Sequence, residues 1–270
     1  MVNTSSFVPV TAEDYHRLAA RRLPRFLLDY IDGGAGREES LADNEADFRL
    51  YRLQQRVMRD VGDVDTRTAL CGRDVAMPLA LAPIGMAGMM ARRGEAQAAR
   101  AAAAAGVPFT LSTVGICPLE EVNAAAGEPC WFQLYMLRDR GLVEALLQRA
   151  RAGGCATLMF TVDLPVVGMR HRDTRSGMLG GAPLAKAWQL LARPRWLYDV
   201  GLRGKPHRFG HLVEAVADPN DLDSYKAFVD AQFDPGVTWK DIEGLRSRWL
   251  GRLIIKGVMC AADAAAAADC

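Results

Sequence analysis

The chain has 270 residues, 50% of them hydrophobic and 24% charged, an ordinary globular composition with enough apolar mass for one sizeable core. Its formal net charge of +1 argues against a nucleic-acid binder, because such domains carry a large positive excess. Six scattered cysteines without C-x-x-C spacing point to reduced thiols, no metal site is expected, and no apolar run reaches the length of a bilayer span.

Residues 1–11 lack the basic and apolar stretches of a secretory signal, so the body of the protein is expected in the cytoplasm. Thr11 with Asp14 reads as an N-cap and acidic first turn, and Tyr15, Leu18 and Ala19 give one apolar stripe at helical spacing. Pro24 is expected to open a second helix over 24–32, with Phe26, Leu27, Tyr30 and Ile31 on one face and Gly33 and Gly34 at its end. The run GGAG at 33–36 follows a helix rather than a strand, so it reads as a helix stop and not as a phosphate-binding loop. Residues 37–56 continue as a helix leading into irregular structure. The segment 1–76 is therefore expected to be an N-terminal helical lid or plug, not an independent domain.

Five short apolar runs ending in polar residues follow, at 78–86, 108–113, 130–136, 157–163 and 252–258. Continuous Val, Leu, Ile and Phe marks strands buried on both faces, and strands alternating with helices imply a parallel sheet. The alternating helices are expected over 95–106, 118–127, 139–154, 238–249 and 261–270, with Asp139 as one cap. The fold class is thus α/β, a (β/α)8 barrel with about five βα units present behind the N-terminal helices. In such a barrel the C-terminal strand ends line the active site, where Ser112, Gln133, Tyr135, Thr161, Asp163 and Lys256 fall.

The interval 164–237 is too long for a βα connection. From Arg170 to His211 it holds nine Lys/Arg against two Asp. Within 183–202, Leu184, Trp188, Leu191, Trp196 and Leu197 alternate with Lys186, Arg193 and Arg195, a composition suited to the headgroup boundary of an anionic membrane. The alternative is an active-site loop whose tryptophans bury against the barrel. Pro183 and Pro194 preclude one continuous amphipathic helix across this stretch.

The ordered motifs DYIDGGA (29–35), LAPIGM (81–86), TLSTV (110–114), WFQLY (131–135), FTVDLPVVGMRHRD (160–173), WKDIEGLR (239–246) and IIKGV (254–258) resemble the FMN-dependent α-hydroxy-acid dehydrogenase family. MARRGEAQAARAA, LRDRG and the basic insertion are most similar to its membrane-associated respiratory L-lactate branch, with the mandelate branch next.

The resemblance implies an FMN cofactor in a barrel of the FMN-linked type. It implies that the backbone of Ala82, Pro83 and Ile84 lies against the flavin ring, that Ser112, Gln133 and Thr161 hydrogen-bond its polar edge, and that Lys256 lies near N1. A cation there favours the reduced, anionic flavin. Tyr30, Tyr135 and Arg170 match substrate-binding residues, and Asp163 matches the carboxylate that pairs with a catalytic histidine. Without the resemblance, each tyrosine would read as a core aromatic and Asp163 as a loop cap.

The family's SNHGGRQLD-like motif, which carries the base histidine, does not occur; His16, His171, His207 and His211 all lie in other contexts. Two expectations follow. The first is a C-terminally cut-short L-lactate-type dehydrogenase, inactive as it stands, whose whole form oxidises a small L-2-hydroxy acid, lactate to pyruvate or else mandelate or a related acid. It would pass electrons to a quinone or other respiratory acceptor at the cytoplasmic face of the inner membrane, as a peripheral protein and by family analogy a homo-oligomer. The second is a finished, non-catalytic paralogue that docks to membrane or to intact subunits. A related flavin-dependent isomerase barrel is a third reading, but its phosphate-bearing substrate would need cations where the tyrosines stand. A five-stranded open sheet is also expected to leave one edge bare.

Overall fold

The computed structural model describes residues 7–178, 183–216 and 222–270. Residues 179–182 and 217–221 of the expected insertion lie outside the described residues. The chain divides into two compact units: Met1–Tyr51 with Met90–Arg92 and Met169–Lys205, and Arg52–Met89 with Arg93–Gly168 and Pro206–Cys270. The first unit thus takes its N-terminal part up to Tyr51 and its second long segment up to Lys205.

The first unit is helical. Thr11 caps Ala12–Arg22: its hydroxyl accepts from the Asp14 amide at 3.2 Å and its own amide donates to the Asp14 carboxylate at 3.2 Å. The second helix runs Arg25–Asp32, with Pro24 at the N-cap (φ −56°, ψ 146°), one place outside the expected first helical position. Phe26 and Leu27 on its inner face are buried, against the helices His171–Ser176 and Pro183–Leu191 from the insertion. The Phe26 amide donates to Gln189 Oε1 at 2.9 Å, and Arg193 Nε donates to the Leu23 carbonyl at 2.9 Å. These bonds are why the two distant segments form one body.

The second unit opens with an antiparallel hairpin, β1 (Thr68–Leu70) and β2 (Arg73–Val75). Four parallel strands follow in chain order: β3 (Thr110–Ser112), β4 (Trp131–Tyr135), β5 (Thr157–Thr161) and β6 (Arg252–Lys256). Between them run Leu119–Ala126, Arg140–Ala152 and Trp239–Arg248, and Asp139 caps the second of these helices by accepting from the Leu142 amide at 3.0 Å. Leu111, Phe132, Leu134, Leu158 and Phe160 enter one apolar cluster with Val122, Val143, Leu147, Ile242, Leu245 and Trp249 of the helices. Strand, helix and next strand in sequence, with helices on one face, make this sheet a wall of a βα barrel.

The expected strand over 78–86 reduces to a single parallel bridge, Leu81 with Phe109. Pro78 and Pro83 remove two backbone donors from that run, which leaves one rung, Leu81 N to Pro108 O at 2.8 Å and Thr110 N to Leu81 O at 3.0 Å. Among the described residues β6 pairs only with β5, and four of its five positions are half-buried and one exposed, so the expected open edge lies there.

Candidate active site at the strand ends

Strand pleat places the candidate residues. Side chains alternate between faces, and residues in register on parallel neighbours point the same way. Because Phe132, Leu134, Leu158 and Phe160 face the helices, Gln133, Tyr135 and Thr161 face the other side. The register pairs Ser112 with Gln133, Tyr135 with Thr161, and Thr161 with Lys256, so these five residues of four strands share one face at the C-terminal ends.

Gln133, 1% exposed, joins three of those strands. Its Oε1 accepts from Ser112 Oγ at 3.1 Å and from the Thr113 amide at 3.2 Å, and its Nε2 donates to Thr161 Oγ1 at 3.0 Å. Ser112 Oγ in turn accepts from the Val114 amide at 3.2 Å, and Thr113 Oγ1 donates to the Gln133 carbonyl at 2.5 Å. These bonds fix the amide's orientation, since reversing it would face one donor with another. Thr113 is a member of this set that the sequence did not single out; its place two residues from the strand centre is the only signal it carries.

Lys256 Nζ donates to Asp163 Oδ2 at 3.0 Å, with the two side chains 38% and 42% exposed. Asp163, expected beside a histidine, is thus paired with the expected flavin-side lysine. Gly257 makes the pair possible: its φ is +106°, and a Cβ there would lie 2.5 Å from Asp163 Cβ. Ala82 and Ile84 are exposed and Pro83 is half-buried, in the same unit, so the expected ring-facing segment is open. Tyr135 meets Phe233 edge to face with ring centroids 5.1 Å apart. Both line a cavity of about 430 Å3 with Thr161, Pro165, Trp239 and Asp263.

In the first unit Tyr30 and Arg170 come together. The guanidinium carbon lies 5.0 Å from the Tyr30 ring centroid, and Nη2 donates to the Tyr30 carbonyl. Arg170 Nε donates to Asp173 Oδ2 at 2.8 Å. Burial pushes the Tyr30 phenol up against the opposing pull of Arg170, and burial likewise raises the Asp173 carboxyl. Beside them Arg172 binds Glu38 and holds its carboxyl below the usual range. Asp173 was not a sequence candidate, although its spacing of three from Arg170 on a helix start is a recognisable pairing distance.

Donors and acceptors at a buried strand end, a nearby cation and an open apolar segment suit the polar edge and flat face of an isoalloxazine, so the donor set fits a flavin. A family model described as FMN-dependent dehydrogenase matches residues 19–270. The chain belongs to the FMN-dependent dehydrogenase family. Its cofactor is FMN, and its barrel is of the FMN-linked type. An L-lactate dehydrogenase of Caulobacter sp. (strain K31) is 51% identical over 257 residues, covering 95% of this chain and 68% of that protein. One from Xanthomonas campestris pv. campestris (strain B100) is 51% identical over 254 residues, 94% and 66% respectively. The solved structure of the monotopic membrane protein (S)-mandelate dehydrogenase superposes with a TM-score of 0.86 at 29% identity, covering 95% of this chain and 69% of that one. The chain thus spans about two thirds of the length of the relatives it matches. Among the described residues no helix is long and apolar enough to cross a membrane.

Proposed function

We propose that this FMN-dependent dehydrogenase oxidises a small L-2-hydroxy acid, L-lactate to pyruvate, and passes the electrons to a quinone or other respiratory acceptor. The observation that carries the reading is the chain of hydrogen bonds Ser112–Gln133–Thr161 in register with Lys256, at the end of the strands where a barrel does its chemistry. Identity near one half with L-lactate dehydrogenases, against 29% with the mandelate dehydrogenase, favours lactate over mandelate.

FMN supplies the two-electron acceptor of the reaction. Ser112, Gln133 and Thr161 would hold its polar edge, the open Ala82–Pro83–Ile84 backbone its face, and Lys256 would place positive charge beside the atoms that become anionic on reduction. Asp163 holds that ammonium in place. Tyr135 offers a phenol to the substrate at the end of β4. Tyr30 and Arg170, in their own unit, offer the phenol and guanidinium that a carboxylate takes, with Asp173 fixing the guanidinium plane.

The reading extends to peripheral attachment at the cytoplasmic face of the inner membrane. Leu184, Trp188 and Leu191, spaced at one helical face of Pro183–Leu191, are all exposed, Trp188 at 73%. Trp196, expected in the same stripe, is 3% exposed and belongs to the interior. The basic character of this stretch would draw it to anionic lipid.

The test is anaerobic reduction of the flavin in the FMN-loaded protein, with L-lactate, D-lactate, L-mandelate and longer 2-hydroxy acids. Bleaching by L-lactate in preference to the others supports the reading. An FMN-loaded protein that none of these acids reduces would overturn it.

A further inference from the structure

We infer that Phe233, at the return of the insertion, is a positioning residue for Tyr135; the inference rests on the proposed role of Tyr135 in binding substrate. The two rings meet at 74°, centroids 5.1 Å apart. Edge-to-face contact of this kind is directional, unlike general apolar burial. A tyrosine at the end of a strand can swing its hydroxyl through several ångströms by turning about χ1, and a ring against its flank closes that arc.

Phe233 is held in place to do this. The Arg138 amide donates to the Gln232 carbonyl at 2.8 Å, Arg138 Nε donates to the Phe233 carbonyl at 3.1 Å, and the Asp139 amide donates to Gln232 Oε1 at 3.0 Å. Arg140 Nη2 donates to Asp234 Oδ2 at 2.6 Å while its Nη1 donates to the Leu137 carbonyl at 2.6 Å, and Leu137 and Phe233 form an antiparallel bridge. The residues immediately after β4 therefore bind 232–234 one by one. Phe233 is 8% exposed yet stands outside the apolar cluster between sheet and helices. With Tyr135 it lines the 430 Å3 cavity. A long connection that could have returned anywhere is clasped to the strand whose last side chain is this tyrosine.

The experiment uses the full chain labelled with 3-fluorotyrosine, the Tyr135 resonance being assigned by its loss in Tyr135→Phe, together with pyruvate affinity of the FMN-loaded protein. Phe233→Leu and Phe233→Met should shift and broaden the Tyr135 fluorine signal and weaken pyruvate binding by about tenfold or more, because ångström-scale misplacement of a binding group costs that much. Phe233→Tyr, which keeps the ring, should restore both. If Leu prevents folding, the unbranched Met variant decides. A Tyr135 signal unmoved by either substitution overturns the inference, as does pyruvate affinity kept in Phe233→Leu and Phe233→Met but lost in Tyr135→Phe. Affinity kept in Tyr135→Phe itself would instead remove the substrate-binding role of Tyr135.

Discussion

Arg170 and Tyr30, 140 positions apart in the chain, meet with the guanidinium over the phenol ring, and the same guanidinium caps the end of the Tyr30 helix through its carbonyl. Burial keeps the Tyr30 phenol protonated against the opposing pull of Arg170, and a protonated phenol can donate to a carboxylate. The third member, Asp173, accepts from Nε of the same guanidinium at 2.8 Å.

Asp173→Asn separates that orienting role from stability. A carboxyl whose folded pKa is raised contributes stability that is full below its unfolded pKa and is lost as pH rises through the folded value; at neutral pH the ionised group is therefore a cost. The variant should keep or raise the urea midpoint at pH 7 while weakening pyruvate binding about fivefold, the difference between a charged and a neutral hydrogen bond. A lower midpoint with unchanged affinity would make Asp173 merely structural.

Lys256→Met tests the cation in the other unit. Its ion pair with Asp163 is more than one-third exposed on both sides, so the pair contributes about 0–1 kcal/mol to folding. The unfolding midpoint should therefore hardly move, whereas flavin reduction by lactate should slow by about tenfold or more, the scale of one lost electrostatic contact to developing charge. Equal rates in the two proteins would take Lys256 out of the site.

Gly257→Ala attacks the same pair through the backbone. At φ +106° an alanine is strained, and its Cβ would stand 2.5 Å from Asp163 Cβ and 2.9 Å from the Asp163 amide. A loss of about 1–3 kcal/mol is expected in urea unfolding, together with slower flavin reduction as Lys256 loses its partner. Wild-type stability in this variant would mean that the turn can relax.

Much of this arrangement was legible in the chain. Uninterrupted apolar runs located β4, β5 and β6, and cap residues Thr11 and Asp139 sit at the starts of their helices as their types require. The residues that join strands, Ser112, Gln133 and Thr161, stood out as polar groups ending apolar runs. The first run does not form a strand because its two prolines cannot donate to a ladder, although its leucines and alanines make an apolar run like the others. Trp188 and Trp196 look alike in sequence, each among leucines and arginines, and only the packing of the first unit buries one and exposes the other. Phe233 gave no signal at all, because its partner lies 98 positions away and the intervening chain has no periodicity that would align them.

That difference between the tryptophans directs the membrane experiment. Removing the whole 183–202 stretch would also remove Gln189 and Arg193, which hold the Pro24–Asp32 region, so point substitutions are cleaner. Leu184→Glu with Trp188→Glu should abolish sedimentation with vesicles containing anionic lipid and leave those without it unaffected, with flavin reduction by lactate unchanged. Sedimentation equal to wild type would assign the exposed stripe another partner.

Between pH 6.5 and about 4, His211 should contribute to the loss of stability in acid. It is buried with its ring edge to face with Phe132, centroids 5.2 Å apart, and burial lowers its pKa from 6.5 to about 4, with Arg149 adding to the effect. The unfolded chain takes up a proton below 6.5 that the folded chain refuses until about 4, so stability is complete above the first value and falls as pH drops toward the second. The slope for one such group is about 1.4 kcal/mol per pH unit. His211→Leu should flatten the urea midpoint between pH 6 and 4.5 relative to wild type. Parallel pH profiles for the two proteins would mean that His211 is protonated in the folded state, and that the helix layer behind β4 is wetter than its packing indicates.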